Sequence, residues 1–394
     1  MSGPLVGVRV LDLSRLVAGG MLGMCLADFG AEVVKVEQPG RGDPLRTWST
    51  EGHTFWWKVY GRNKRSITLN LDSDEGRGLF ARLLPRFDVL VESFVPGKLE
   101  TWGLGPETLH TWRPGLILVR ISGWGQDGPD RANPGFGTLV EAASGLAAMS
   151  GEPDGTPLVP PFPLADMYAG LYAANAILMA LYHRDVHGGG GETIDVSLFE
   201  SVFSVLGPLA AEYAALGHIR SRTGGRSRNS APRGVYATAD GGFLAVSAST
   251  PDTAVRFLRA YGLGDLLADP RFATNEARVR NVEVLDGLVA DAIAGLPQAE
   301  HRRVVDEHRL TATPVQTIAD IVQDPHWRAR GLTVDVGDGD DAVTMHNIVP
   351  RLANTPGTIR SAGPALGADN EAIYGQELGL GAKDLERLMR NGII

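Results

Sequence analysis

Val8-Arg9-Val10-Leu11-Asp12-Leu13, a helical pattern from Leu22 to Phe29, then Ala31-Glu32-Val33-Val34-Lys35-Val36-Glu37 closed by Gln38-Pro39-Gly40: this opening decides the fold. Two β-rich runs around a helical stretch make a βαβ unit, which implies a parallel sheet covered by helices. The alternation continues with a helix near Glu75 to Leu84, a strand at Val89-Leu90-Val91, a helix near Pro106 to Thr111 and a strand at Leu116 to Ile121. The Gly-rich turn Ser122-Gly123-Trp124-Gly125, an apolar helix beginning at Asp166 and a strand at Thr193 to Val196 come next. The expected class is α/β.

The character of the chain changes after that strand. Ser221 to Arg233 is polar and basic, with Gly224-Gly225 among Arg222, Arg226, Arg228 and Arg233, and reads as a linker or a binding loop. Gly234 to Ser249 has the pattern of a hairpin turning at Asp240-Gly241-Gly242. Helical patterns run to about Asp324, Leu332 to Met345 is strand-like, and a helix near Asp384 to Met389 closes the chain. At 394 residues the chain exceeds what one core usually supports, so two domains are expected.

Composition narrows the partners. The net charge of -9 argues against nucleic acid, which calls for a basic face. Cys25 is the only cysteine, so an intramolecular disulfide is impossible and a cysteine metal site implausible; its plain role is that of a small buried residue. No basic segment followed by an apolar run opens the chain, so no signal peptide is expected. The longest apolar stretch, Met167 to Tyr182, is slightly short for a membrane span and contains Asn175. A cytoplasmic protein without a membrane partner is expected.

Several motifs can be weighed against plainer roles. Ala18-Gly19-Gly20-Met21-Leu22-Gly23, placed as a turn after the first strand, lacks the G-x-G-x-x-G spacing of a dinucleotide site. Arg62-Asn63-Lys64-Arg65-Ser66 is either the solvated start of a strand or a clamp for ligand phosphates. The nine histidines are scattered and no acidic pair has metal-ligand spacing; no G-x-S-x-G elbow is present, which disfavours a serine hydrolase.

The remaining candidate is Asp166, where Pro160-Pro161-Phe162-Pro163-Leu164-Ala165 runs into an apolar helix. Asp is a preferred N-cap, so a capping role is one reading. The other is chemical: the positive end of the helix dipole favours the ionised carboxylate, which is a nucleophile needing no histidine to activate it. Gly170, one turn on, would clear space on the same face for a ligand. The local residues leave both readings open.

Taken as an ordered set, several segments resemble the family III CoA-transferases over essentially the whole chain. They are Gly7 to Ser14, Gly30 to Asp43, Asn63 to Ser66, Val91-Glu92-Ser93-Phe94-Val95-Pro96-Gly97, Ile121 to Gln126, Asp166 with Gly170, Asp269-Pro270-Arg271-Phe272 and Ala329-Arg330-Gly331. The resemblance implies a Rossmann-like large domain built from both chain ends, a smaller inserted α+β domain, and two subunits interlocked as a homodimer. The expected boundaries are 1–205 for the large domain, 206–225 for a linker, 226–325 for the small domain and 326–394 for the return.

The resemblance also implies a site. Asp166 matches the family's nucleophilic aspartate, with Glu141 able to orient it or the substrate. CoA would lie around Arg15, Leu16 and Ala18, near Leu69 and against Phe94. Formyl-CoA members carry cations where this chain has Gln38, Asp72 and Thr101, so Arg41, Lys64, Arg65 and Lys98 become the candidates for the CoA phosphates. The glycine loop that covers the site in those members corresponds to Gly224-Gly225 and the residues after them, which are richer in arginine here.

In the related racemases an Asp and a His move an α-proton, and that His falls at Phe136 here, its acidic neighbour at Gly137. Two-faced proton transfer needs two carriers, so racemization is disfavoured. Pro134 to Glu141, Ala231-Pro232-Arg233 and Ser247-Ala248-Ser249-Thr250 look most like members acting on C4–C5 dicarboxylates such as malate, citramalate or mesaconate, with Arg226, Arg228 and Arg233 placed to pair with a second carboxylate. The expected activity is transfer of CoA from an acyl-CoA to a free acid through aspartyl anhydride and aspartyl-CoA, with no metal or redox cofactor. An acyl-CoA racemase or isomerase, or a non-catalytic binder of CoA esters, are the alternatives.

Overall fold

The computed structural model of the chain, which describes residues 3–339 and 342–394, contains the sheet that the opening βαβ unit implies. β1 (Arg9–Asp12), β2 (Glu32–Glu37), β3 (Arg65–Thr68), β4 (Val89–Glu92), β5 (Ile117–Ser122) and β6 (Glu192–Ser197) form one sheet in the order β3-β2-β1-β4-β5-β6. Every pairing in it is parallel, with Val10 opposite both Val33 and Val89. The central strands β4 and β5 are buried at every residue, as expected of strands covered on both faces. Strand order reverses between β1 and β4, and in open sheets of this kind ligands bind outside the carboxyl ends at that reversal.

The connecting helices are α1 (Leu16–Asp28), α2 (Phe55–Tyr60), α3 (Asp74–Leu83), α4 (Lys98–Thr101), α5 (Pro106–Trp112), α6 (Gly137–Ala143), α7 (Leu146–Met149), α8 (Leu164–His187) and α9 (Leu198–Phe203). α3 shows why the alternation is legible: Ser73 caps it by accepting from the Gly76 N–H, Asp74 and Glu75 occupy its first turn, and Leu84-Pro85 ends it. α1 departs from expectation. The segment Ala18–Gly23, expected to be a turn, lies inside the helix. Its glycines serve close packing: a Cβ at Gly19 would collide with Ser14 Oγ, and one at Gly23 would fall 2.6 Å from Lys64 Nζ.

Backbone contacts divide the chain into two units. The first takes the chain up to Leu146, Val159–Leu209 and Gly331–Ile394; the second takes Ala147–Leu158 and Ala210–Arg330. Ala147–Leu158 therefore departs from the expected 1–205 boundary, and the expected linker 206–225 contains a helix, Leu209–Leu216. The first unit's core joins Leu11, Val34, Ile67, Phe80 and Leu118 to Ile373, Tyr374, Leu388 and Ile394 from the end of the chain. Tyr374 donates to the Thr68 carbonyl at 2.9 Å, and Asn370 Oδ1 accepts from the Thr68 N–H at 2.9 Å. The strand-like segment Leu332 to Met345 forms a hairpin of this unit, β10 (Thr333–Val336) with β11 (Val343–His346); residues 340 and 341 of it lie outside the described residues.

The second unit is α+β. β7 (Arg233–Ala237) and β8 (Phe243–Ser247) are the expected hairpin, and β9 (Ala312–Pro314) pairs antiparallel with β8. Tyr236, Leu244 and Val246 point into a core with Phe257, Phe272, Leu285, Val289 and Ile293.

Candidate active site

Asp166 is the third residue of α8, one turn inside the position a capping residue would hold. The capping reading is therefore corrected: the N-cap is Pro163, which offers no side-chain acceptor. A carboxylate from elsewhere supplies it. Glu141, buried on α6, accepts the Ala165 N–H at 3.0 Å through Oε1. The helix thus begins on an acid it does not itself contain, and the nucleophile candidate sits next to that acid.

These neighbours fix the charge state of Asp166. Burial comes first and the Glu141 charge second, and together they raise its pKa from 3.8 to about 6. Its own N–H and that of Ala18 pull the other way. The expectation that the helix dipole would hold Asp166 low is overturned, because desolvation and a like charge outweigh two N–H donors. Above pH 6 the group is nonetheless mainly ionised.

Two glycines make this arrangement possible. A Cβ at Gly137, the first residue of α6, would lie 2.5 Å from Asp166 Oδ2, so only glycine leaves that oxygen room. A Cβ at Gly170 would lie 2.6 Å from the Ala18 carbonyl oxygen and 2.8 Å from Met21 Cβ. Gly170 therefore lets α1 pack on α8; the expectation that it clears space for a ligand is corrected. Phe136, where a racemase would place its histidine, is exposed.

A cavity of about 560 Å³ opens at the carboxyl ends of β1, β2, β3 and β4. Five residues expected to hold CoA line it together: Arg15, Arg41, Leu69, Phe94 and Lys98. Arg15 and Arg41 are exposed, and among the described residues neither guanidinium has a hydrogen-bond or ion-pair partner. Lys98 is less free: its ammonium lies 4.3 Å from the Trp102 ring centre and 3.4 Å from Asp72 Oδ1. Trp102 lines the same cavity, stands edge-on to Phe94 at 5.2 Å, and was not anticipated from the sequence.

The other four expected contacts fall elsewhere. Lys64 is buried, with Nζ 3.2 Å from Asp12 Oδ2 and 3.3 Å from the Gly20 carbonyl, so it is a structural cation. Arg65 is shared among Glu32 at 2.7 Å, Glu377 at 3.0 Å and Asp369 at 3.2 Å. Neither side chain is available to a phosphate in that arrangement. Leu16 and Ala18 do not line this cavity: Leu16 has a left-handed backbone with φ of 64°, and the Ala18 N–H favours the charged form of Asp166. The turn from Ser14 to Ala18 thus borders the cavity at Ser14 and Arg15 and the nucleophile candidate at Ala18.

In the second unit, the loop containing Gly224 and Gly225 is pinned by its own arginines. Gly224 donates to the Gly151 carbonyl at 2.9 Å, and Arg222 donates to the carbonyls of Glu152, Pro153 and Gly155. Arg226 is held 2.7 Å from Asp286 Oδ2, and Arg228 donates to Ser221 Oγ at 2.6 Å. Those bonds withdraw Arg226 and Arg228 from the expected carboxylate pairing. Arg233, opposite Ser247 at the start of β7, is exposed and has no side-chain partner among the described residues.

The family model described as CoA-transferase family III matches residues 5–370. The chain is 42% identical over 395 residues to a succinyl-CoA–D-citramalate CoA-transferase of Chloroflexus aurantiacus, covering 99% of this chain and 98% of that one. It is 38% identical over 401 residues to the beta subunit of a succinyl-CoA–L-malate CoA-transferase of the same organism, with 99% and 98% covered. Among solved structures, a CAIB/BAIF family protein from Brucella suis superposes with a TM-score of 0.85 at 32% identity, covering 95% of this chain and 100% of that one.

Proposed function

The chain belongs to CoA-transferase family III, and from that premise we propose that it moves CoA from a C4–C5 dicarboxylyl-CoA to a second dicarboxylic acid, with Asp166 as the covalent carrier. It is a CoA-transferase whose substrates are an acyl-CoA donor and a free carboxylic acid. The similarity to transferases named for succinyl-CoA with citramalate or malate supports the dicarboxylate class.

The observation that supports the role of Asp166 best is its setting. It has a raised basicity, an N–H donor from each of α1 and α8, and an oxygen left uncrowded by Gly137. A carboxylate with a pKa of about 6 is a stronger nucleophile than an ordinary substrate acid and is ionised at neutral pH. Its oxygen attacks the thioester carbonyl; the C–S bond breaks, leaving a mixed anhydride and CoA thiolate. The thiolate attacks the Asp166 carbonyl carbon, the anhydride C–O bond breaks, and the donor acid departs, leaving aspartyl-CoA. The acceptor carboxylate attacks that thioester and expels the thiolate again. The thiolate then attacks the acceptor's carbonyl, releasing the new acyl-CoA and restoring the Asp166 carboxylate. N–H groups held at the carboxylate are donors suited to the oxyanions that develop at each addition.

The nucleotide end of CoA is assigned to the cavity with Arg15, Arg41 and Lys98 as its cations, and Phe94 and Trp102 as its aromatic wall. The Ser14–Ala18 turn joins that cavity to Asp166 within one unit. Glu141 sets both the start of α8 and the basicity of Asp166.

The assembly proposed is a homodimer. α8 is long and apolar enough to cross a membrane, but Ala165, Ala169, Gly170, Ala173 and Ile177 are buried in the fold. Leu171, Tyr172, Leu178, Met179, Tyr182 and Val186 are exposed along the helix, and a second copy of this chain is the cover proposed for them.

The test is an exchange assay with succinyl-CoA and a panel of mono- and dicarboxylic acids in D₂O. Formation of a new acyl-CoA without deuterium at the α-carbon is expected. Deuterium incorporation with no CoA transfer would replace the proposal with isomerization, and binding without either would leave a CoA-ester carrier.

A further inference from the structure

α1 begins without the devices that normally start a helix. Arg15 at its N-cap makes no side-chain capping bond, and its first turn contains no acid. Two acids arrive from other parts of the chain. The Ala18 N–H favours the charged form of Asp166 from a turn of α1 that packs on Gly170 of α8, and Asp43 Oδ1 accepts the Leu16 N–H at 3.2 Å together with the Leu45 N–H at 2.9 Å. Leu16 has φ of 64°, a backbone that a leucine disfavours because its Cβ crowds the chain, so something must hold it there.

Asp43 is built to hold. Its side chain is buried, its own N–H donates to Glu37 Oε2 at 2.8 Å, and its Oδ2 lies 3.4 Å from Lys35 Nζ. Lys35 also donates to the Ser14 carbonyl and stands 3.7 Å from Asp12 Oδ1, so the same ammonium grips both sides of the turn. Glu37 is fixed in its turn by Arg46, at 2.6 and 2.8 Å, and by Ser66 Oγ at 2.7 Å. This buried set of charges is fully paired; it forms part of the cavity wall, and it reaches the first turn of α1 through the Leu16 N–H.

We propose that Asp43 is a positioning residue for the transfer: by holding Leu16 in its left-handed backbone it fixes the first turn of α1, so that the Ala18 N–H stays on the Asp166 carboxylate. The inference rests on Asp166 being the nucleophile and adds a residue that acts on it at second hand. The charged group facing Asp166 is Glu141 of α6, while α1 and α8 present N–H groups to it. Losing the Ala18 donor therefore removes a bond that favours the ionised form.

The experiment compares Asp43→Ala, Asp43→Asn and Leu16→Pro in the full-length enzyme, measuring kcat, both KM values and the pH dependence of kcat/KM. Asn keeps the Oδ1 acceptor for Leu16. Pro deletes the N–H and forbids a positive φ while remaining tolerable at the first helical position. Asp43→Ala and Leu16→Pro are expected to lower kcat on the order of 100-fold and to move the acidic limb of the profile above its parent position. Asp43→Asn is expected to keep the parent limb and most of kcat. Folded Asp43→Ala and Leu16→Pro variants with an unmoved limb and a changed KM for acyl-CoA alone would overturn the proposal, leaving Asp43 as cavity wall. If Asp43→Ala does not fold, Leu16→Pro decides the question alone. Transfer surviving in Asp166→Asn would instead refute the nucleophile reading, a separate failure.

Discussion

Asp166→Asn should make the protein inactive and more stable at the same time. Its carboxyl binds a proton more tightly in the folded chain than in the unfolded one, because the pKa rises from 3.8 to about 6 on folding. Between those two values the folded state holds more protons, so stability falls as pH rises through that window. About two units at 1.36 kcal/mol each puts the cost of an ionised Asp166 at roughly 3 kcal/mol above pH 6. Asn removes the charge and leaves the shape. The variant should gain up to about that amount at pH 8, less at pH 5, and almost nothing below the unfolded pKa. Urea unfolding followed by tryptophan fluorescence is a suitable assay, because six of the seven tryptophans lie in the first unit with Asp166. A variant no more stable than the parent at pH 8, or one whose gain is the same at pH 8 and pH 4, would refute the claim that burial and Glu141 hold this carboxylate under strain.

Two further outcomes are expected. Arg15→Ala and Arg41→Ala should each raise KM for acyl-CoA roughly 10- to 100-fold, the range of one lost charge-assisted bond, while KM for the acceptor acid stays put in steady-state assays. Met179→Arg places a charge in the middle of the exposed face of α8, and sedimentation velocity should then report a monomer at concentrations where the parent is a dimer.

The sheet was legible because the inner strands carry short apolar runs that must be buried. Val33, Val34, Val36, Val89, Leu90, Val91, Leu118 and Val119 are buried on a sheet covered from both sides, and that pattern survives in one dimension. The start of α1 was not legible. Gly19, Gly20 and Gly23 look like a turn until Ser14, Tyr60 and Lys64 are seen filling the space their side chains would need. Lys64 and Arg65 show the same limit for charge. A cluster of cations reads alike whether it faces solvent, a phosphate or buried acids, and here the acids come from Asp12, Glu32, Asp369 and Glu377, far away in sequence. Pro163 carried a signal that could have been used. A helix that begins on proline with no capping side chain implies an acceptor from elsewhere, although only the fold identifies Glu141 as that acceptor.

Whether acyl and coenzyme groups pass through one side chain can be read directly from the enzyme itself. Parent protein mixed with succinyl-CoA and quenched in hydroxylamine should yield a hydroxamate on the peptide containing Asp166, located by tandem mass spectrometry and absent from Asp166→Asn. Unmodified peptide from an enzyme that is turning over, or modification at a different residue, would contradict the account.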